Sequence, residues 1–230
     1  MRIITDYSYL FKNMVGKSNQ KQVNDIQVSQ LGSRSVQSKL RAAGIDTNSA
    51  QYKAAIKEMT SHPGSMGMLT NVQAIKNIMN TYDKHGDEID PNTGLTGIFV
   101  TEKTASSKRK IISIPESSRE DIFNLAKKEF LKSNGMSEGD GRQEIYTDLQ
   151  RKTEKSKRLS ASHTLSQYER AYKQAFIDAA KAVDPKWDYG RPIPAGALDG
   201  ITRESIDNSL VKGYGAYGET LVRKSVNTTV

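Results

Sequence analysis

The sequence predicts a mainly α fold: about six helices in one domain with a small β-hairpin, α+β at most. Three observations carry this. Several runs place apolar residues three and four apart, the spacing of one helical face. Ser, Thr or Asn precede these runs, and Gly or Pro follows them, as helix starts and stops require. Two short runs rich in β-branched residues, 97–101 and 110–114, stand apart from the helical pattern.

Taken in order, residues 1–15 are apolar and aromatic, with Ile3, Tyr7, Leu10 and Phe11, and residues 16–33 are polar. Residues 1–33 therefore read as an N-terminal arm and linker, separable from a helical domain over 34–213. The first helix carries Val36, Leu40 and Ala43 on one face, and Gly44 suits a left-handed cap. Asn48 or Ser49 caps a second helix with Tyr52, Ala55, Ile56 and Met59, which stops before Pro63. The pair has the outline of a helix-turn-helix. Its second helix lacks a run of Arg, Asn or Gln for base contacts, so a plain helical hairpin is expected. A third helix bears Val72, Ile75, Ile78, Met79 and Tyr82 and closes at Gly86.

The hairpin is expected near 97–114, with a hydrophilic loop from Glu102 to Arg109. Ser117-Ser-Arg-Glu120 has the capping-box pattern and opens a helix with Ile122, Leu125, Ala126 and Phe130, ended by Asn134-Gly135. Residues 143–157 read as a helix with few apolar anchors. The strongest pattern is 164–183, where Leu165, Tyr168, Tyr172, Phe176, Ala179 and Val183 share a face. Thr202 caps a short last helix with Ile206 and Leu210, and a polar tail fills 214–230. Gly213-Tyr-Gly-Ala-Tyr-Gly218 matches Gly-x-Gly-x-x-Gly, but no βαβ unit surrounds it, so it reads as a flexible turn.

Composition narrows the chemistry. The chain has 230 residues, a formal net charge of +8 and 36% hydrophobic residues, with mean hydropathy −0.64. Such a basic, polar chain favours anionic partners. The absence of cysteine excludes disulfides, thiolate metal sites and cysteine nucleophiles. No apolar run reaches the roughly 20 residues of a membrane span, and Asp6 and Lys12 interrupt the opening as a signal peptide. The expected location is cytoplasmic, or exported without a cleaved signal peptide.

The densest group of candidate ligands is Thr81 to Gly94, where Asp83, Asp87, Asp90 and Asn92 fall within ten residues. Oxygen ligands on a tight turn suit a hard cation. Read as a helix–loop–helix calcium loop from Asp83, it has His85 at position three, Asp87 at five, Glu88 where glycine belongs and Gly94 where a bidentate glutamate belongs. The metal-site candidate is therefore looser: Asp83, Asp87, Asp90, Asn92 and the Ile89 carbonyl, holding Ca2+. The alternative is a turn whose Asp and Asn side chains satisfy local N–H groups, with no cofactor.

His62, His85 and His163 are scattered, outside any zinc-hydrolase spacing. Arg151, Lys152, Lys155, Lys157 and Arg158 form the densest basic cluster, an anion-binding candidate extended by Lys103, Lys108, Arg109 and Lys110. Aromatics do not interleave with it as a single-strand platform requires, so a solvated helix face is the competing reading. No catalytic residue stands out, since Glu102, Glu116, Glu120 and Asp121 have capping or surface explanations.

Several strings carry a resemblance: Asp6-Tyr-Ser-Tyr-Leu-Phe11, Ser35-Val-Gln-Ser-Lys-Leu-Arg-Ala-Ala-Gly-Ile-Asp46, Asn71-Val-Gln-Ala-Ile-Lys-Asn77, the Tyr82–Gly94 loop and Ile112-Ser-Ile-Pro-Glu-Ser-Ser118. In these the chain resembles an uncharacterised family of Firmicutes proteins catalogued as a domain of unknown function. The resemblance covers most of the chain, implies an acidic loop in relatives and brings no catalytic residues with it. The leading expectation is a non-enzymatic structural or protein-interaction module, with a protein partner or self-association. Calcium binding through 83–94, nucleic-acid or other anion binding through 151–158, and a hydrolase with an unidentified carboxylate pair are the alternatives.

Overall fold

The computed structural model describes residues 25–61, 68–99, 109–136 and 141–224. These residues gather into two compact units, 1–96 and 97–230, each with its own hydrophobic cluster. The architecture is mainly α with one small antiparallel hairpin. The sequence read as one domain because both units are built from the same helical stripes, and spacing alone does not assign a stripe to a core.

In the first unit, helical residues 25–31 lead into α1 (Arg34–Ala42), α2 (Ala50–Ser61) and α3 (Val72–Met79). Each start has its side-chain cap. The Ser33 hydroxyl accepts from Val36 N–H, Ser49 from Tyr52 N–H, and Asn71 Oδ1 from both Gln73 and Ala74 N–H. Helix α1 ends in a Schellman motif: Gly44 has φ +75°, its N–H donates to Arg41 O, and Ile45 N–H donates to Leu40 O. Leu40 and Ile45 are both buried there. The core joins Leu31, Val36, Leu40, Tyr52, Met59 and Ile75. Leu31 lies inside the stretch read as linker, and Gln37 Nε2 donates to its carbonyl at 2.7 Å. The folded body therefore begins before residue 34; Ile26, Val28 and Leu31 stand two and three apart, too short a pattern to mark a helical stripe. Residues 1–24, and with them the apolar opening of the arm, lie outside the described residues.

In the second unit, α4 (Glu116–Ser133), α5 (Arg142–Lys152), a 3₁₀ turn (Lys155–Lys157), α6 (Arg158–Val183) and α7 (Arg203–Ser209) precede β1 (Leu210–Gly215) and β2 (Gly218–Arg223). Helix α6 organises it. Tyr172 and Phe176 are fully buried and meet Phe123 of α4 at ring-centroid distances of 5.3 and 5.6 Å. Phe130 meets Phe176 and Trp187, each at 5.6 Å. Asn134, at φ 52°, ends α4 in the left-handed region, as its sequence suggested. The capping box does not form: α4 already starts at Glu116 behind Pro115, without a side-chain cap. Glu120 pairs with Arg203 instead.

Among the described residues the hairpin is at 210–223. Of the hairpin expected near 97–114, residues 100–108 lie outside the described residues, and 109–114 run extended without strand pairing. Their backbone is answered otherwise. Ile112 N–H donates to Thr164 Oγ1 at 3.0 Å, Ile111 N–H to a Glu219 carboxylate oxygen at 2.7 Å, and Arg109 O accepts from Glu219 N–H at 3.0 Å. The β1–β2 register pairs Val211 with Val222, Gly213 with Thr220 and Gly215 with Gly218 around the turn Ala216–Tyr217. Valine, threonine and tyrosine give it strand character, which the three glycines disguise as a tail.

Asp207 of α7 ties the helices together. It accepts from the Tyr172 hydroxyl at 2.7 Å, from Arg203 at 2.7 Å and from Arg119. Burial first, then the hydrogen bond to Asp207 and its charge, push the Tyr172 phenol well above its ordinary pKa. The folded state thus holds a proton that the unfolded state loses above about pH 10. That stability is fully present below pH 10 and falls as pH rises further, by about 1.4 kcal/mol per pH unit. Tyr172→Phe should flatten this alkaline decline in pH-dependent urea melts. Phe176→Ala should cost about 3–5 kcal/mol through lost transfer energy and a cavity, read by the same melts.

Candidate functional site

The acidic loop is a pair of closed turns. Asp83 Oδ1 accepts from His85 N–H at 2.9 Å and Asp87 N–H at 3.0 Å. Asp90 is buried; its Oδ1 accepts from Asn92 N–H at 3.1 Å and its Oδ2 from the Thr93 hydroxyl at 2.6 Å. Ile89 donates its N–H to Thr81 O. Among the described residues no three Asp, Glu or His side chains converge as a metal group. Gly86, at φ +79°, lets this loop press on the start of α2, where a Cβ would lie 2.9 Å from Ala50 O.

The basic cluster is dispersed by the junction of α5 and α6. Lys152 pairs with Asp148 at 2.6 Å and Lys157 with Glu154 at 3.0 Å. Arg158 Nε donates to the carbonyls of Gln150 and Thr153, closing the end of α5. Lys155 is half-buried beside Gly97, whose Cβ would lie 2.6 Å from Lys155 O. Among the described residues the exposed Arg151 has no such local role. Lys103 and Lys108 lie outside the described residues.

Buried carboxylates also occur. Glu129 and Glu169 are bridged by Arg142 at 2.7 and 2.6 Å, and Glu169 further takes Lys173 at 2.9 Å and the Tyr146 hydroxyl at 3.1 Å. Arg142 reaches both carboxylates, so this cluster is built as an ion clamp between α4, α5 and α6.

A different set of residues makes an open groove of about 500 Å3 between α6 and the hairpin. His163, Ser166, Gln167 and Arg170 line it from α6. Their spacing of three, four and seven puts them on one face, opposite Leu165, Tyr172 and Phe176. Arg109 and Tyr217 line the far side, the guanidinium carbon 5.6 Å from the ring centre. The hairpin is seated by Thr220 Oγ1 donating to Gln167 at 2.7 Å and by His163 Nε2 against Glu219 O at 2.7 Å. His163 must carry its proton on Nε2 for that contact. Gly218, at φ +125°, is required: a Cβ would lie 2.7 Å from Arg109 O.

The electrostatics of the groove are one-sided. Arg119, Arg142, Arg203 and Arg223 all hold carboxylates. Arg109 and Arg170 have no carboxylate partner among the described residues. The Glu219 carboxylate is turned to Ile111 N–H and sits 3.9 Å from Lys212 Nζ. Two guanidiniums beside hydroxyl and amide groups are equipped to hold a phosphate or carboxylate. Sequence reasoning named Arg109 as an anion-binding candidate but missed the groove, because it tracked only the apolar stripe of α6 and took the glycine motif as a flexible turn. The polar stripe His163-x-x-Ser166-Gln167-x-x-Arg170 was its one available signal.

Among the described residues no helix is long and apolar enough to cross a membrane. The model of a family described as "Domain of unknown function (DUF3879)" matches residues 45–230. No curated protein and no solved structure matches the chain. Asp90→Ala should lower stability by about 1–3 kcal/mol by stranding the donors of its turn. The loss should be equal in chelator and in millimolar calcium; a wild-type melting point that climbs with calcium would instead assign these oxygens to a cation.

Proposed function

We propose a binding role for this chain, which belongs to the family described as "Domain of unknown function (DUF3879)". It is a non-enzymatic interaction module whose groove between α6 and the hairpin takes an anionic group, phosphate or carboxylate, of its partner. The observation that carries this reading is the pair Arg109 and Arg170 lining one open groove, where the one carboxylate among the described residues that line it, Glu219, is turned to Ile111 N–H and Lys212 rather than to either guanidinium. Arg142 and Arg203 are held by carboxylates, whereas Arg109 rests on the Tyr217 ring and lines the same groove as Arg170. Two guanidiniums in one concave site can take an external anion. The chain's excess of positive charge would steer such a partner toward it.

The test is calorimetric titration of the full chain with inorganic pyrophosphate at low and moderate salt. Binding is expected to weaken with salt and to be lost in the double variant Arg109→Gln, Arg170→Gln. Arg151→Gln, Lys152→Gln should bind like the wild type. Binding that follows Arg151 and Lys152 instead would move the anion site to the end of α5. No binding at any salt would reject the reading.

A further inference from the structure

Resting on that reading, we infer that the anionic ligand of the groove is a nucleotide, its phosphate held by Arg109 and Arg170 and its base stacked on Tyr217. Three features separate this from a site for a bare phosphate or a carboxylate side chain. The first is extent: Arg109, Arg170, His163, Ser166 and Tyr217 all line the groove, more than one oxyanion spans. The second is Tyr217. Its side chain sits at the tip of the hairpin, 75% exposed, with Arg109 against it. An exposed aromatic ring beside a guanidinium offers a stacking surface and a phosphate contact within one nucleotide's reach. A carboxylate or phosphorylated side chain would use the arginines and leave the exposed remainder of that ring uncovered.

The third feature is the glycine motif. Gly213, Gly215 and Gly218 share one face of the hairpin with Thr220, by the alternation of the register. Thr220 donates to Gln167, so this is the face turned to the polar stripe of α6. Gly218 is glycine for the fold, because of Arg109 O. Gly215 is not: its φ is ordinary, and an added Cβ would meet nothing nearer than 3.9 Å. Its missing side chain leaves room in the groove that packing does not demand. The motif therefore serves a nucleotide without the dinucleotide-binding βαβ geometry. Two guanidiniums and a tyrosine replace the helix N-terminus as the source of recognition.

The full chain is titrated with inorganic phosphate, thymidine 5′-monophosphate, thymidine, a phosphoserine peptide and single-stranded oligothymidylate. Thymidine monophosphate should bind about tenfold tighter than phosphate, from one stacked base. Tyr217→Leu should bring it down to the phosphate level. Gly215→Ala should melt like the wild type and bind the nucleotide several-fold more weakly. Oligothymidylate binding much tighter than the monophosphate, with steep salt dependence, assigns the nucleotide to a strand; equal affinity assigns it to a free nucleotide. The inference is overturned if monophosphate binds no tighter than phosphate, if the peptide binds tighter than the nucleotide and ignores Tyr217→Leu, or if both variants bind like the wild type. In each of those cases phosphate binding that still needs Arg109 and Arg170 leaves the anion-binding reading standing. Loss of all binding removes both.

Discussion

The burial of the apolar stripe of α6 against α4 fixes the second unit. Tyr172 and Phe176 cannot leave the contact with Phe123 and Phe130 without opening the aromatic centre of the core. Burial of such side chains is worth roughly 1.5–3 kcal/mol each. Because the helix has 26 residues, fixing one stripe fixes the opposite one along its whole length. His163, Ser166, Gln167 and Arg170 are thereby held on a rigid line facing away from the core. A binding face on a packed helix is better defined than one on a loop.

The second element of the groove is the hairpin, and it is held by polar contacts. A two-stranded hairpin is marginal alone. Here Glu219 joins it to Arg109 and Ile111, Thr220 joins it to Gln167, and His163 meets Glu219 O. Thr164 meanwhile holds the 110–112 backbone to α6 from within the core. Helix, extended segment and hairpin thus support one another through groups that would otherwise be unpaired. Gly218 permits the close approach to Arg109 O, and that approach puts the Arg109 guanidinium next to Tyr217. The positive character of the groove is a consequence of this backbone geometry as much as of composition.

The helices were legible because three- and four-residue spacing and the expected caps agree at Ser49 and Thr202; Ser33 and Asn71 add caps that the sequence reading did not name. The hairpin was legible as an element but not in place. The Ile-rich run at 110–114 has the stronger β-propensity, yet its partners are side chains of α6 and β2. The Val211–Val222 pairing is interrupted by glycines that count against a strand. Leu31 shows the same limit at the other end: with Ile26 and Val28 it makes steps of two and three rather than a helical stripe, whatever it packs against. The groove was hidden for a further reason. Arg109 was read only as an extension of the 151–158 cluster, and Arg170 lies outside that cluster and far from Arg109 in sequence. What sets the pair apart is that the fold brings them to one groove, while Lys152, Lys157 and Arg158 of the conspicuous cluster are held by Asp148, Glu154 and the end of α5.

The claim that the rigid polar face of α6 and the glycine-rich hairpin form one anion site can be tested by crystallography of the full chain soaked in tungstate. The oxyanion marks its own position by anomalous scattering. The account predicts a peak between the Arg109 and Arg170 guanidiniums, within hydrogen-bonding distance of both. A peak confined to the Arg151–Arg158 junction, or a groove closed by another side chain with no anion in it, would contradict it.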